Sequence, residues 1–92
     1  MATYVMFGKY SVESAKAISA KRTDQSLALI KKYGGELKAG YALLGKVDLV
    51  LVVEMPDNEH AMQTSAALTK LLWVSFTTSP AVSFDQFDKL MR

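Results

Sequence analysis

Five consecutive apolar residues, Leu49-Val50-Leu51-Val52-Val53, stand between two carboxylates, Asp48 and Glu54. The run has strand length and is rich in β-branched residues, so it reads as a β-strand. Strand side chains alternate between faces, which sends Leu49, Leu51 and Val53 one way and Val50 and Val52 the other. A strand with one wet face alternates apolar with polar residues, and this one does not. Whatever sheet contains it must be covered on both sides.

The rest of the chain supplies one kind of cover. "TYVMFG" near the start reads as a strand, and Ser11 offers a helix N-cap. A helical period runs from Val12 to Tyr33 and stops at Gly34-Gly35, where a left-handed cap is cheap. "ELKAGYALL" is a second strand, joined by a tight Gly45-Lys46 hairpin to "VDLVLVVEM". Pro56-Asp57-Asn58 opens a second helix to about Leu72. "WVSFTTSPAVSF" gives a last strand, with Pro80 confining it to an edge or bulge, and "DQFDKLMR" adds a short helical turn.

The order β-α-β-β-α-β is the split plan of ferredoxin-like domains, an α+β fold with a four-stranded antiparallel sheet and two helices on one face. Two helices cover one face only. The second strand repeats the problem, with Leu37, Ala39, Tyr41 and Leu43 on one side and Gly40, Ala42 and Leu44 on the other. The simplest cover for the second face is another copy of the same sheet, since homodimers are the commonest oligomers. The expected assembly is a homodimer through the sheet face, a dimeric α/β barrel.

At 92 residues the chain has room for a single domain, residues 1–92. Its net charge is +2, with acids and bases interspersed, which is weak evidence for a nucleic-acid partner, and none is expected. The absence of cysteine excludes disulfides, thiolate zinc sites and a Cys nucleophile, and one histidine excludes a His-rich metal site in one chain. No cofactor is expected. "MATYVMFGKY" lacks a basic start and a long apolar run, and no stretch approaches the ~20 apolar residues of a membrane span. The expected location is cytoplasmic, with no membrane partner.

Polar residues interrupt the inward stripes of both helices. Arg22 and Ser26 fall among Ala15, Ile18, Leu29, Ile30 and Tyr33, and Ser65 falls among Ala61, Leu68 and Leu72. A buried guanidinium needs a carboxylate, several carbonyls or an anionic ligand facing it. One reading is a cleft between sheet and helices, with Arg22 as its charged floor and Ser26 and Ser65 as hydrogen-bonding walls. The other has Arg22 reaching out to water and both serines bonding back to helix carbonyls. Tyr41 lies mid-strand, its ring reading as core and its hydroxyl as a candidate for the cleft. His60 falls about 100° off the apolar stripe, which favours a half-solvated residue over a catalytic base. Thr77 is a hydroxyl candidate on a strand that thrives on threonine. Asp48 and Glu54 read as the wet ends of their strand, with Asp48 able to accept free N–H groups of the hairpin.

Several motif classes fail. One histidine among many serines carries no triad, and Gly34-Gly35 precedes a strand rather than opening a helix on a phosphate. The carboxylates show no calcium-loop spacing. RNA-recognition motifs share the β-α-β-β-α-β order, but "KVDLVLVV" supplies no aromatic on which to stack a base.

The segments "GKY", "KKYGGELKAGYALLG", "DLVLVVEMPDNEHAM" and "SFTTSPAV" resemble the GYD-domain family of small bacterial and archaeal proteins over nearly the whole chain. The family's signature is a Gly, a Tyr and an Asp close together at the hairpin. Gly45 and Asp48 match it, while Val47 stands at the aromatic position. The resemblance implies the dimeric α/β-barrel, ferredoxin-like fold and no agreed activity. Proteins of the wider fold include monooxygenases that work without metal or flavin, isomerases, haem enzymes and stress-response proteins. Their ligands commonly sit between sheet and helices.

Three functions are therefore carried forward. The first is a homo-oligomeric domain binding a small anionic or aromatic molecule over Arg22. The second is a cofactor-independent enzyme of the monooxygenase or isomerase type, using His60 or a strand hydroxyl. The third is an assembly or regulatory module with no small-molecule site.

Overall fold

In a computed structural model describing residues 1–92, four strands and four helices follow one another along the chain. They are β1 (Ala2–Tyr10), α1 (Val12–Lys16), α2 (Ala20–Lys32), β2 (Glu36–Ala42), β3 (Leu49–Met55), α3 (Asn58–Leu72), β4 (Val74–Ala81) and α4 (Phe84–Leu90). The strands form one sheet in the order β2-β3-β1-β4, with every neighbouring pair antiparallel. The fold is ferredoxin-like α+β. The two most apolar strands, β1 and β3, take the centre. Pro80, with no N–H to give a ladder, sits on edge strand β4 opposite Tyr4.

The register sorts the sheet into two faces. Tyr4 and Met6 stand opposite Val53 and Leu51 and point to the helices. There Tyr4, Met6, Val53 and Met55 pack with Ile30 of α2 and with Ala61 and Leu68 of α3, forming the buried core. On the other face Val5 meets Val52, and Phe7 meets Val50 on one side and Thr77 on the other. No element of the chain covers that face, and Phe7 is 39% exposed.

Local chemistry modifies the expected plan in four places. The single helix expected over residues 12–33 is broken after Lys16. Ser11 caps the first piece by accepting from Ser14 N, and Ser19 caps the second by accepting from Arg22 N. A serine inside a helix competes for backbone donors, and at Ser19 the cap wins. The break turns Ile18 outward, where it is 62% exposed, and buries Ser14 instead.

The hairpin is not a tight two-residue turn. Residues 43–48 form the connection, closed by Leu43 N–H donating to Asp48 O at 2.8 Å, and Gly45 takes a φ of 129° that favours glycine. The third change lies in β2. Its partners step from Leu37↔Val53 to Ala39↔Val52, leaving Lys38 as the extra residue of a β-bulge. Leu37 therefore shares the helix side with Gly40 and Ala42, while Ala39 and Tyr41 turn to the open face. An unbroken ladder would have kept Leu37, Ala39 and Tyr41 together. Finally, the tail is a seven-residue helix, α4, capped by Ser83 accepting from Gln86 N. No helix is long and apolar enough to cross a membrane.

Candidate functional site

Arg22 lies in the first turn of α2, fixed there by the Ser19 cap. Its guanidinium donates from Nη1 to Ser14 O at 2.9 Å and from Nη2 to Ser14 Oγ at 2.9 Å. Nη2 also donates to Leu72 O. Ser14 and Leu72 stand near the C-terminal ends of α1 and α3, where carbonyls lack helical partners and the helix dipole is negative. One cation thus ties three helices together. Of the alternatives for a buried arginine, several carbonyls is the one realised. The two ion pairs in the protein, Lys38–Glu36 and His60–Asp57, do not involve Arg22. Three of its five N–H groups are used, and Nε and one Nη1 hydrogen have no protein acceptor.

Arg22 borders a cleft of about 320 Å³ between α2 and the sheet, at the small end of the usual range for ligand pockets. Twelve of its 17 lining residues are hydrophobic, among them Leu27, Ile30, Leu37, Leu51 and Phe76. Gly40 helps to leave the space open. A Cβ built there meets Leu51 Cδ2 at 3.4 Å and Leu37 Cδ2 at 3.9 Å, so the glycine is a gap in the floor rather than a backbone necessity. Ser26 lies on the same wall. Its hydroxyl donates to Arg22 O at 2.8 Å, which leaves the oxygen as an acceptor toward anything else.

The remaining expected residues are dispersed. Tyr41 borders the cleft, yet it pairs with Val50 on the open-face side and is 63% exposed, so its ring is not core as expected. The bulge at Lys38 is the cause. Ser65 does not meet Arg22. Its Oγ accepts from Thr78 Oγ1 at 3.1 Å and lines a second hollow between α3 and β4 with Tyr4, Asn58 and Lys70. Thr77 stands opposite Phe7 on the open face.

His60 pairs with the N-cap of its own helix, its Nδ1 2.6 Å from Asp57 Oδ1. The His60 backbone N–H, then its ring, hold the exposed Asp57 carboxyl below its ordinary value. Neither residue borders the cleft. No three His, Asp or Glu side chains come together as a metal-ligand set.

Asp48 acts across strands rather than within its hairpin. Its Oδ2 accepts the Tyr10 backbone N–H at 2.8 Å, and its own N–H donates to Gly8 O at 2.8 Å. Tyr10 lies beyond Gly8↔Leu49, the last β1–β3 pair, so its N–H on that side needs an acceptor. The expected acceptor role holds, but its donor is the end of β1 instead of the turn. Gly45 forms the turn that delivers Asp48 to this position.

Two residues at the site escaped the sequence reading. Tyr10 borders the cleft and was hidden at the end of a strand. Ser14 is 1% exposed beneath Arg22, and only recognition of Ser19 as a second cap would have exposed the change of helix phase that buries it.

The GYD-domain family model matches residues 4–91. The chain belongs to the GYD-domain family. No curated protein matches it. Among solved structures, this GYD-domain chain is similar to the Mycobacterium tuberculosis leucine response regulatory protein LrpA, with a TM-score of 0.59 and 10% identity. The match covers 89% of this chain and 51% of LrpA. A second structure, of a single-residue mutant protein, matches with a TM-score of 0.59 and 11% identity over 89% of this chain and 50% of that one. The GYD-domain chain thus spans about half the length of the solved structures it matches, and at such identity the likeness is one of fold.

Proposed function

We propose that this GYD-domain protein binds a small, flat, mostly apolar molecule carrying one anionic group in the cleft between α2 and the sheet. The observation that carries the reading is Arg22, a guanidinium without a carboxylate partner at the border of a largely hydrophobic cleft. A carboxylate on the ligand would accept from one of its two unused donors, and Leu27, Leu37 and Phe76 would hold the apolar body. Binding is favoured over catalysis because the one histidine–carboxylate pair lies outside the cleft.

The test is an NMR titration with 2-naphthoate and with uncharged 2-naphthylmethanol. The expected result is saturable shifts at Ser26, Leu37 and Gly40, weaker for the alcohol. Gly40→Leu fills the floor without demanding an unusual backbone angle and should abolish binding while leaving the fold intact. Shifts confined to the open sheet face, or none at low millimolar ligand, would refute the cleft.

A second reading concerns assembly and is favoured by the uncovered apolar face carrying Val5, Phe7, Tyr41, Val50 and Val52. A homodimer through this face would complete its burial.

A further inference from the structure

The C-terminal helix α4 has no place in its own subunit. It makes no more than passing contact with any other element. Phe84, Phe87, Leu90 and Met91 are 88%, 48%, 65% and 68% exposed. At about 100° per residue these four fall within an arc of roughly 120°, with Asp85, Gln86, Asp88 and Lys89 on the remainder. A seven-residue helix does not hold itself together in water, so this apolar stripe requires a partner.

We infer that α4 docks on a second copy of the chain, so that the dimer proposed above is closed by an exchange of C-terminal helices. The inference rests on that dimer reading and adds to it. Two observations favour a second copy as the occupant.

The first is area. Four strands about 4.8 Å apart, with about 3.3 Å per residue over seven residues, present a face of roughly 450 Å². A stable interface takes about 800 Å² from each partner. The sheet face alone supplies little more than half. At ~150–200 Å² for a large side chain, the exposed parts of the four α4 residues add roughly 400–500 Å², which makes up the difference.

The second is charge. The open face carries Glu36 and Glu54 at one end, paired across β2 and β3, and Lys9 at the other, beside Ser75. A two-fold axis lying between the faces and crossing the strands brings the acidic end of one copy onto the basic end of the other. The helix leaves β4 after Ala81, which pairs with Thr3 at the acidic end. The same rotation therefore carries α4 to the Lys9–Ser75 end of the second copy, where Asp85 and Asp88 meet Lys9.

The chain has no cysteine, so Gln86→Cys gives a unique attachment point on the polar side of α4. Spin-labelled Gln86→Cys protein is mixed with isotope-labelled, otherwise unmodified protein, and paramagnetic broadening is read on the unmodified chain. Broadening at Lys9 and Ser75 is expected, together with at least tenfold weaker dimerisation for Phe84→Glu/Phe87→Glu by sedimentation. A dimer without that broadening, or one indifferent to the double substitution, overturns the exchange and leaves the sheet-face dimer standing. A monomer at micromolar concentration overturns both, and leaves α4 to a different protein.

Discussion

Removing the guanidinium of Arg22 should loosen one end of the helical layer, and the size of the effect follows from what it touches. Arg22→Met keeps an apolar stem and deletes three donated hydrogen bonds. Ser14 O retains the Ala17 N–H, so its loss is partial. Ser14 Oγ, on a residue 1% exposed, and Leu72 O both lose a charged donor. An orphaned buried polar group costs about 1–3 kcal/mol, and Arg22 is only half-buried, so water offsets part of this. The expected loss is about 2–3 kcal/mol, a large share of the ~5–15 kcal/mol that holds a small domain folded. In urea, with a slope of about 1–1.5 kcal/mol/M, the unfolding midpoint should fall by about 2 M at unchanged slope. Arg22→Lys, with one compact ammonium in place of a fork, should recover no more than half. Unfolding is followed by circular dichroism at fixed protein concentration. A midpoint shift under about 0.5 M for Arg22→Met would refute the clasp.

Two further outcomes follow from other sites. Gly35→Ala places a Cβ against the Met55 sulfur and 2.8 Å from Glu54 O, a backbone atom that cannot step aside. The overpacking should cost about 1–3 kcal/mol and lower Tm by at least about 4 °C in calorimetry; an unchanged Tm would mean that the β2 entry is pliable. Asp57 is held below its ordinary value of 3.8, so its charge stabilises the fold fully above that pH and loses this contribution as pH falls through the lowered value. Asp57→Asn keeps a capping oxygen but not the charge, so it should lower Tm near neutrality, leave it little changed at low pH, and thereby flatten the acid limb of the Tm–pH curve.

Much of this architecture was legible because it depends on patterns that local residues enforce. The apolar run of β3 announced a strand, Asp57 announced α3, and Gly34 ends α2 with a φ of 83° as its position suggested. Pro80 lies on an edge, where its missing donor is harmless. Less was legible where two local rules competed. Ser19 could sit within a helix or cap a new one, and the local pattern does not choose between them. The bulge at Lys38 leaves no mark on an alternation already blurred by Ala39, Gly40 and Ala42. Its consequence for the site is direct, because it sends Tyr41 away from the helices and opens the floor at Gly40. The separation of Ser65 from Arg22 could not be read either, since the inward stripe of α3 does not say which strand it faces.

That bulge also gives β2 a residue belonging to neither face. In a regular ladder Lys38 would stand opposite Val52, placing an ammonium group in the middle of an apolar surface. As the extra residue it remains in water, 3.6 Å from Glu36. A chain lacking Lys38 would keep Leu37 on Val53 and Ala39 on Val52. One lacking a residue within β3, which has no slack, would turn Leu51 and Val53 inside out. Strand length at this edge is thus a free variable one residue wide, while the strand beside it tolerates no change of length.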